Sequence, residues 1–394
     1  MIDVKDLIRE LTQEQLLAAA DGYFASMKLE SEQCWKPFSN PLDATYLTRH
    51  LGWVLSASNL FRGAKVVDFG CGTGWLTHAL AQMGCHATGI DISTNALHLA
   101  RQLGRKVDSV KPSSYGSIDF SAYDGNRLPL ENKSVDRIIC FDAFHHVRDQ
   151  EQTLKEFSRV LKQGGRAAFL EPGPSHSKSA QSQAEMAAHA VIENDIEMGS
   201  IRGYSQAAGF DKPVMLLQYM NPVMIGVDDY LSWSEGRPPA DLAKKLLSPL
   251  QSHLTNVQCF FLQKGSQVRN SLQRDGLKAQ FELKSWSLKD GLIHFHVCVT
   301  NTGDRRWLSS PGSGQVNMGL QIVDTYGRML NNDYGRVRLS QGDVDPGQQV
   351  HLSGVCAAPS ETNHLVQLDM VSEMVCWFAD VGHTEPLKLV QPPH

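Results

Sequence analysis

The chain has 394 residues, of which 42% are hydrophobic and 20% charged, and its formal net charge is −5. Its length predicts more than one domain, and an acidic chain without clustered Lys and Arg excludes a general nucleic-acid-binding protein. The eight scattered cysteines include no C-x-x-C pair, so we expect reduced thiols in a cytoplasmic protein rather than disulfides or a zinc site. The N-terminus lacks a signal-peptide pattern, and no apolar run reaches the ~20 residues of a membrane span.

Residues 1–60 are predicted to form helices, because apolar residues recur there at helical spacing. These residues are Leu7, Leu11, Leu16 and Ala20. The stretch KPFSNP, with its two prolines, interrupts the pattern. We expect this N-terminal segment to lie over a binding cleft as a lid. Among its residues are the aromatic Tyr23, Phe24, Trp35 and Phe38.

Strands and helices alternate from residue 64 to about residue 173, and a polar helical stretch follows. The predicted strands are 65–69, 87–91, 117–122, 137–141 and 166–171. The predicted helices are 74–83, 94–104, 150–162 and, in a polar stretch, 175–210. The glycines of LKQGGR (161–166) are interpreted as the end of the third of these helices. This alternation indicates a parallel sheet with helices on both faces, an α/β Rossmann-like fold.

Two further strands, at 213–218 and 257–263, complete a seven-stranded, mostly parallel sheet. A helix-rich insertion near residues 226–254 lies between them. The α/β domain is therefore predicted to span residues 61–265, and a polar linker follows at 266–276.

Residues 277–394 show a different pattern. Ile293, Phe295, Val297 and Val299 alternate with polar or small residues, as in a strand with one buried face. Turn signals such as NTGD, SSPGSG, NNDYG and DPGQ recur without a helical stretch between them. These features predict an antiparallel β-sandwich.

The stretch VVDFGCGTG places three glycines directly after the first strand of the α/β domain. Gly70, Gly72 and Gly74 would let backbone N–H groups approach a ligand closely. Asp68, just ahead of them, would repel a pyrophosphate but suits a cationic ammonium group. S-adenosylmethionine carries an ammonium and a sulfonium and no phosphate, so the loop favours this ligand.

Two more carboxylates follow at the ends of the next strands. Asp91, in GIDIS, is placed to accept both hydroxyls of a ribose. That role also suits NAD, so an NAD-dependent oxidoreductase stays open at this point. Asp124, in YDGNRLPL, is placed near an adenine edge, where it would accept from the exocyclic amine.

Over about residues 35–265 the chain resembles the class I S-adenosylmethionine-dependent methyltransferases. The matching motifs, in order, are VVDFGCGTG, GIDIS, YDGNRLPL, SVDRIICFDAFHHV and LKQGGRAAFLEPG. The resemblance implies that Asp68 binds the methionine ammonium, that the Gly70–Gly74 backbone binds the methionyl part, and that Asp91 and Asp124 bind ribose and adenine. The remaining predicted cofactor-binding residues are Cys71, Ile92, Gly125 and Phe141.

Methyl transfer is an in-line displacement, and an alcohol acceptor must lose its proton to a nearby base. The candidate catalytic residues lie at the carboxyl ends of strands, where open α/β sheets bind ligands. They are His145, His146, Glu171 and His176. Each imidazole also has a structural alternative, packing beside the cofactor. A magnesium site at Asp142 and Glu171 is disfavoured, since the resembled metal sites have Asp-Asn where this chain has Glu-Pro, and we predict no metal.

The C-terminal stretches NTGDRRW, GLQIVDTYGRMLNNDYGR and LDMVSEMVCWFADVG resemble β-sandwich modules of bacterial surface-polysaccharide proteins, like the carbohydrate-recognising domain of O-antigen exporters. The aromatic residues Trp307, Tyr326, Tyr334 and Trp377 are candidates for stacking on sugar rings, although Trp377 and Phe378 also suit the sandwich core. The resemblance predicts methylation of a sugar hydroxyl of a glycan or nucleotide sugar. Two alternatives stay open: a small natural-product acceptor, with the sandwich forming a homo-oligomer, and a non-catalytic cofactor-binding protein.

Overall fold

The computed structural model describes residues 1–107, 116–217, 224–237, 241, 256–265, 269–361, 363–381 and 384–389. The chain divides into two compact units. Unit 1 consists of Met1–Leu60 and Ala64–Gln267, and unit 2 of Phe61–Gly63 and Val268–His394. None of the helices in these described ranges combines the length and the hydropathy that a membrane crossing needs.

Unit 1 is built on one seven-stranded sheet. Its strands are β1 (Lys65–Phe69), β2 (His86–Asp91), β3 (Ser117–Ala122), β4 (Val135–Phe141), β5 (Leu161–Pro172), β6 (Val214–Met215) and β7 (Val257–Gln263). The strand order is β3-β2-β1-β4-β5-β7-β6. The first five strands pair in parallel, while β7 is antiparallel to both of its neighbours. This confirms the predicted Rossmann-like fold.

The helices of unit 1 are α1 (Val4–Glu10), α2 (Gln13–Ala25), α3 (Pro41–Ser58), α4 (Trp75–Gln82), α5 (Thr94–Val107), α6 (Gln150–Val160), α7 (Ala180–His189), α8 (Met198–Ala207) and α9 (Val227–Ser234). A side chain caps the first turn of α1, α2, α3, α6 and α7. Thr12 and Gln15 form a capping box at the start of α2, and Asn40 caps α3 just before Pro41.

An apolar cluster beneath the sheet ends fixes where the strands stop. The rings of Phe169 on β5 and Phe260 on β7 stack with centroids 4.6 Å apart. Phe144, which follows β4, meets Phe169 edge to face at 5.1 Å. All three side chains are fully buried. The segment after β4 is therefore anchored by core packing, which holds the polar residues next to it in place.

Several predicted boundaries in unit 1 were wrong. Residues 161–166 do not end a helix, because α6 stops at Val160 and Leu161 already pairs with Val135 of β4. Residues 175–210 form two helices separated by a non-helical stretch at 190–197. The strand predicted at 213–218 is reduced to Val214–Met215, and Gln218 lies outside the described residues. Of the predicted insertion, α9 is described, while 238–240 and 242–254 lie outside the described residues.

Unit 2 consists of two antiparallel sheets that share one apolar core. Its strands are β8 (Ala279–Lys289), β9 (Leu292–Asn301), β10 (Val316–Asp324), β11 (Met329–Arg338), β12 (Gln349–Ala357), β13 (His364–Ser372), β14 (Cys376–Trp377) and β15 (Leu387–Leu389). One sheet has the order β11-β10-β13-β14 with β15 on β13, and the other β12-β9-β8. The predicted all-β C-terminal sandwich is confirmed.

The apolar alternation of β9 packs into this core as predicted, since Ile293, Phe295, Val297 and Val299 are all buried. Trp307 is also fully buried and meets Phe378 edge to face at 5.5 Å. Trp307 is therefore a core residue and cannot stack on a sugar, whereas Tyr326 is 96% exposed. Trp377 is partly buried beneath Arg336, whose guanidinium lies 4.8 Å from the ring centroid.

Asp369 on β13 gives unit 2 a pH-dependent stability. Its carboxylate accepts from the N–H groups of Met370 and Ala379 at 2.8 and 3.1 Å. Burial raises the pKa of this carboxyl to about 7, which is higher than in an unfolded chain. The folded state therefore binds more protons between pH 4 and 7, so stability falls as the pH rises through this window.

We expect Asp369→Asn to remove this pH dependence, because the amide does not titrate. In urea unfolding at pH 5 and pH 8, the chain should lose roughly 2–4 kcal/mol more than the variant between the two pH values. Equal losses in both proteins would show that Asp369 does not titrate in this range.

Candidate active site

The glycine-rich loop after β1 packs closely against the end of β2 and the segment that follows β4. Gly70, Gly72 and Gly74 have φ values of 71°, 51° and 81°, a region that favours glycine. A Cβ on Gly70 would lie 2.5 Å from the Cβ of Ala143, so only a bare backbone fits there. The N–H of Gly70 donates to the carbonyl of Ile90 at 2.8 Å. The loop is thus held as a close-approach surface for a ligand.

Asp91, at the end of β2, holds the far side of this loop. Its two carboxylate oxygens accept from the N–H groups of Gly72 and Ser93, each at 2.8 Å. Burial raises the pKa of this carboxyl, although the backbone donors act against the rise. Asp91 therefore positions the loop, and its contact with a ribose stays a prediction.

Asp68 lies beneath the loop. Its side chain is 2% exposed and accepts a hydrogen bond from Oγ1 of Thr77 at 2.7 Å. Burial raises the pKa of Asp68 to about 7, against the effect of that hydrogen bond. Among the described residues, Phe69 and Gly70 line the cavity above, whereas Asp68 does not. Its contact with an ammonium group stays a prediction.

Asp124, after β3, closes a turn. Its Oδ1 accepts from the N–H groups of Asn126 and Arg127, each at 2.8 Å, and these bonds lower the pKa of the carboxyl. The side chain is exposed, and its neighbours Tyr123 and Gly125 line the cavity instead. The structure thus brings this motif to the cavity through the residues on either side of Asp124.

The N-terminal helix α2 is tied to the start of α5. Asp21 accepts from Oγ of Ser93 at 2.8 Å, from Oγ1 of Thr94 at 3.0 Å and from the N–H of Asn95 at 3.0 Å. Desolvation would raise the pKa of Asp21, but these hydrogen bonds prevail and lower it. Asp21 therefore caps α5 from another helix, a contact that no local sequence pattern announces.

The same helix also reaches the turn after β3. Nε2 of Gln13 donates to the carbonyl of Asp124 at 3.3 Å. The Gln13 side chain fills the space that a Cβ on Gly125 would need. Further along α2, Tyr23 and Phe24 line the cavity. This helix is therefore one wall of the site.

A cavity of about 430 Å³ lies between the loop and a group of histidines, within the ~300–1,000 Å³ of ligand pockets. The predicted cofactor residues that line it are Gly70, Cys71, Gly72, Asp91, Ile92, Gly125 and Phe141. The lining also includes His145, His146, His176 and Glu193. One cavity thus joins the predicted cofactor site to the predicted catalytic histidines.

Glu171, at the end of β5, organises the connection after β4. Its Oε1 accepts from the N–H groups of Ala143 at 3.2 Å and Phe144 at 2.8 Å. Its Oε2 accepts from the N–H of His145 at 3.2 Å and contacts Nδ1 of that ring at 2.8 Å. Both oxygens are engaged by N–H donors, so this carboxylate suits a positioning residue and not a base or a partner of Asp142 in a magnesium site.

The side chain of His145 is buried and is paired with the carboxylate of Glu171. Burial alone would lower the pKa of His145, but the hydrogen bond and charge of Glu171 prevail and raise it to about 9. With Nδ1 bonded to Glu171, the ring turns Nε2 towards Glu193, whose Oε2 is 3.9 Å away. The ring of His176 lies 4.7 Å from that of His145, edge to face.

His146 is open to the cavity, with 45% of its side chain exposed. Its Nδ1 lies 2.6 Å from the carbonyl of Ile192, and because a carbonyl only accepts, Nδ1 must carry the proton. The lone pair therefore lies on Nε2. Desolvation and the charge of the neighbouring His145 lower the pKa of His146, which favours the neutral ring.

His176 lies in a short 3-10 turn after β5. Its Nε2 is 2.7 Å from Oε2 of Glu193 and 3.2 Å from Oγ of Ser182. The turn is fixed by Asp195, which accepts from the N–H and the hydroxyl of Ser177 at 2.8 and 2.9 Å. The structure thus brings all three predicted histidines together around one acid.

That acid, Glu193, was missed by the sequence reasoning. It lies in residues 190–197, between α7 and α8, where no helical or strand period marks it. The N–H of Asn194 donates to the carbonyl of His145 at 3.1 Å, which ties this stretch to the connection after β4. The three acidic residues in IENDIE were the one available signal, in a stretch otherwise interpreted as a polar helix.

Residues 67–169 match the methyltransferase domain family. A ubiquinone biosynthesis O-methyltransferase from Bordetella avium is 31% identical over 138 residues, which are 34% of this chain and 54% of the relative. The methyltransferase GfsG from Streptomyces halstedii is 33% identical over 114 residues, 28% of this chain and 38% of the relative. The chain spans about half the length of the first of these curated relatives. The predicted S-adenosylmethionine-dependent methyltransferase domain is confirmed.

Among solved structures, an S-adenosylmethionine-dependent methyltransferase from Mesorhizobium loti is similar at a TM-score of 0.41 and 16% identity, covering 55% of this chain and 97% of that chain. A protein from Bacillus subtilis, YcgJ, is similar at a TM-score of 0.39 and 18% identity, covering 56% of this chain and 99% of that chain.

We expect Asp21→Ala to loosen α2, because the first turn of α5 loses its external cap. The free energy of unfolding should fall by about 0.5–2 kcal/mol, the cost of losing a helix N-cap. Glu14→Ala, on the exposed side of the same helix, is the matched control. Urea unfolding of both variants checks this, and equal effects would contradict the role of Asp21.

Proposed function

We propose that this chain, which carries a methyltransferase domain over residues 67–169, transfers the methyl group of S-adenosylmethionine to a hydroxyl group. The observation that carries the proposal is the single cavity that has the glycine-rich loop on one side and three histidines on the other. Cofactor and acceptor would meet there. In-line displacement needs both reactants held in one water-poor space, and little other chemistry from the protein.

The acceptor atom is proposed to be oxygen because the cavity offers a proton acceptor. A hydroxyl must lose its proton as the new bond to the methyl carbon forms. His146 suits this role, since its Nδ1 proton is held by the Ile192 carbonyl and its neutral Nε2 is free to accept. The relatives from Bordetella and other genera are named O-methyltransferases. His145 and Glu171 would then position His146 rather than take the proton.

On the cofactor side, we propose that the methionyl part lies along Gly70–Gly74 and that Asp91 accepts from the ribose. Asp91 lines the cavity while it also holds the Gly72 N–H. The adenine would lie towards Tyr123 and Gly125. Asp68 would act on the ammonium from beneath the loop, through its charge, since Thr77 takes one of its oxygens.

The acceptor is proposed to be a sugar hydroxyl of a glycan or nucleotide sugar, with unit 2 recognising or positioning the glycan. This part rests on the resemblance of the C-terminal stretches to carbohydrate-recognising sandwiches. The polar residues of the cavity, among them Gln181 and Glu185, also suit an acceptor rich in hydroxyls.

A phenolic hydroxyl of a small molecule is the second candidate. It is favoured by the aromatic side chains of Tyr23, Phe24 and Phe141 along the cavity and by the names of the relatives, which refer to ubiquinone biosynthesis. A phenol is a stronger acid than an alcohol and would need less help from a base.

Incubation with S-adenosylmethionine and panels of nucleotide sugars, oligosaccharides and phenols should yield S-adenosylhomocysteine with a saccharide acceptor. His146→Asn should lower kcat by roughly 10²–10⁴-fold, the usual contribution of a general base. His98→Asn, on α5, is the control and should leave kcat unchanged. Turnover with phenols alone would move the acceptor class to the second candidate. Binding of the product without turnover on any acceptor would indicate a non-catalytic protein.

We also expect the affinity for S-adenosylhomocysteine to depend on pH through Asp68. The ammonium of the ligand favours the ionised carboxylate, and the pKa of Asp68 in the free protein is about 7. Below pH 7 the proton must first leave, so calorimetry should show affinity falling about tenfold per pH unit. Asp68→Asn should bind more weakly and lose this slope between pH 5.5 and 8. A flat profile for the unchanged chain would remove Asp68 from the cofactor site.

A further inference from the structure

Three side-chain atoms converge on the wall of the cavity opposite the glycine-rich loop. They are Nε2 of His145, Nε2 of His176 and a carboxylate oxygen of Glu193, all within 4.8 Å of one another. His145 and Glu193 are buried, and His176 is partly buried. We infer that these three residues bind a divalent transition-metal ion.

The separations suit such an ion after small side-chain movements. Zinc bonds of ~2.0–2.2 Å to nitrogen and oxygen in a tetrahedral site put the ligand atoms about 3.3–3.5 Å apart. Here Oε2 of Glu193 lies 2.7 Å from Nε2 of His176 and 3.9 Å from Nε2 of His145. The first distance must open by about 0.6–0.8 Å and the second close by about 0.4–0.6 Å to reach this geometry. The ligand nitrogens of the two imidazoles, which lie within 4.8 Å of each other, must reach the same separation. The proton now shared by His176 and Glu193 would leave when the ion binds.

The residues behind His145 are already arranged as they are behind metal-binding histidines. Glu171 contacts Nδ1 of the ring at 2.8 Å, which fixes the ring orientation and directs Nε2 to the cluster. The proton that Nε2 carries in the charged ring must leave when the ion binds. Glu171 itself is held by the N–H groups of Ala143 and Phe144. A carboxylate that orients a histidine in this way raises the affinity of its other nitrogen for a metal.

The ligand types select the class of ion. Two imidazoles and one carboxylate favour zinc or a neighbouring first-row metal, because magnesium and calcium prefer oxygen ligands. Three protein ligands leave a coordination position open, and all three residues line the cavity. The buried carboxylates of Glu171 and Glu193 also supply negative charge that a cation would neutralise.

The role of the ion rests on the proposed function. Bound through its hydroxyl oxygen, the acceptor would lose its proton more readily, because a metal ion stabilises the alkoxide. The proton passes to Nε2 of His146 and from there to solvent. An oxygen lone pair forms the bond to the methyl carbon, and the electron pair of the breaking carbon–sulfur bond returns to sulfur. The products are a methyl ether and S-adenosylhomocysteine. An alcohol, as a weaker acid than a phenol, gains most from this help.

The test measures zinc binding by the full chain after treatment with a chelator. Calorimetry with Zn²⁺ alone should show a single site. Co²⁺ in its place should give the visible absorption of a low-coordinate complex, which a purely structural cluster would not produce. Glu171→Gln should weaken zinc binding by roughly 10–100-fold, and Glu193→Gln and His176→Asn should weaken it further.

Glu185→Gln and His189→Asn, in α7 close to this cluster, are the matched controls and should bind zinc like the unchanged chain. Binding of S-adenosylhomocysteine by each variant reports that unit 1 is folded. Absence of zinc binding, or equal weakening in the control variants, would overturn the metal site. Turnover that persists unchanged after chelation would overturn the role of the ion in the reaction while leaving the proposed methyl transfer intact. Zinc binding at these residues without turnover on any acceptor would support the site and contradict the proposed function instead.

Discussion

One buried carboxylate determines the shape of the cavity. Glu171 accepts hydrogen bonds from the N–H groups of three consecutive residues after β4 and from the imidazole of His145. A buried anion is tolerated only when its lone pairs are taken, so this segment has little freedom to adopt another course. The same segment carries Ala143, whose Cβ leaves room for no side chain on Gly70. The end of β5 thereby constrains the loop after β1, two strands away in the sheet.

The two sides of the resulting site are held together by different groups. The cofactor side is built from backbone, with Asp91 and the carbonyl of Ile90 holding the loop by its N–H groups. The opposite side is built from side chains that depend on one another, since Glu193 meets His145, His146 and His176. Replacement of any one residue should destabilise such a network of ionisable groups, because a buried polar group that loses its partner costs free energy of folding.

The sequence was most informative where structure is local. The glycines at 70, 72 and 74 predicted a loop of bare backbone after a strand, and the alternation in β9 predicted a half-buried strand, because each pattern depends only on near neighbours. Residues 161–166 were misinterpreted for the same reason. Their glycines are as typical of a helix end as of a tight reversal, and pairing of Leu161 with Val135 decided between the two.

Contacts between residues that are distant in sequence could not be predicted from such local patterns. Glu193 reaches His176 across 17 positions, and Asp21 reaches Asn95 across 74. Trp307 is of a residue type that stacks on sugar rings. Only the packing of the two sheets shows that it is a core residue. In each case the deciding information is which elements pack together, and that is a property of the whole fold.

The attachment of α2 has a kinetic consequence. This helix is held at one end by Gln13 against the turn at Gly125 and further along by Asp21 on the start of α5. Detachment of this wall from the rest of unit 1 would break those hydrogen bonds. If the spent cofactor left by that route, its residence time would depend on how often this one helix detaches.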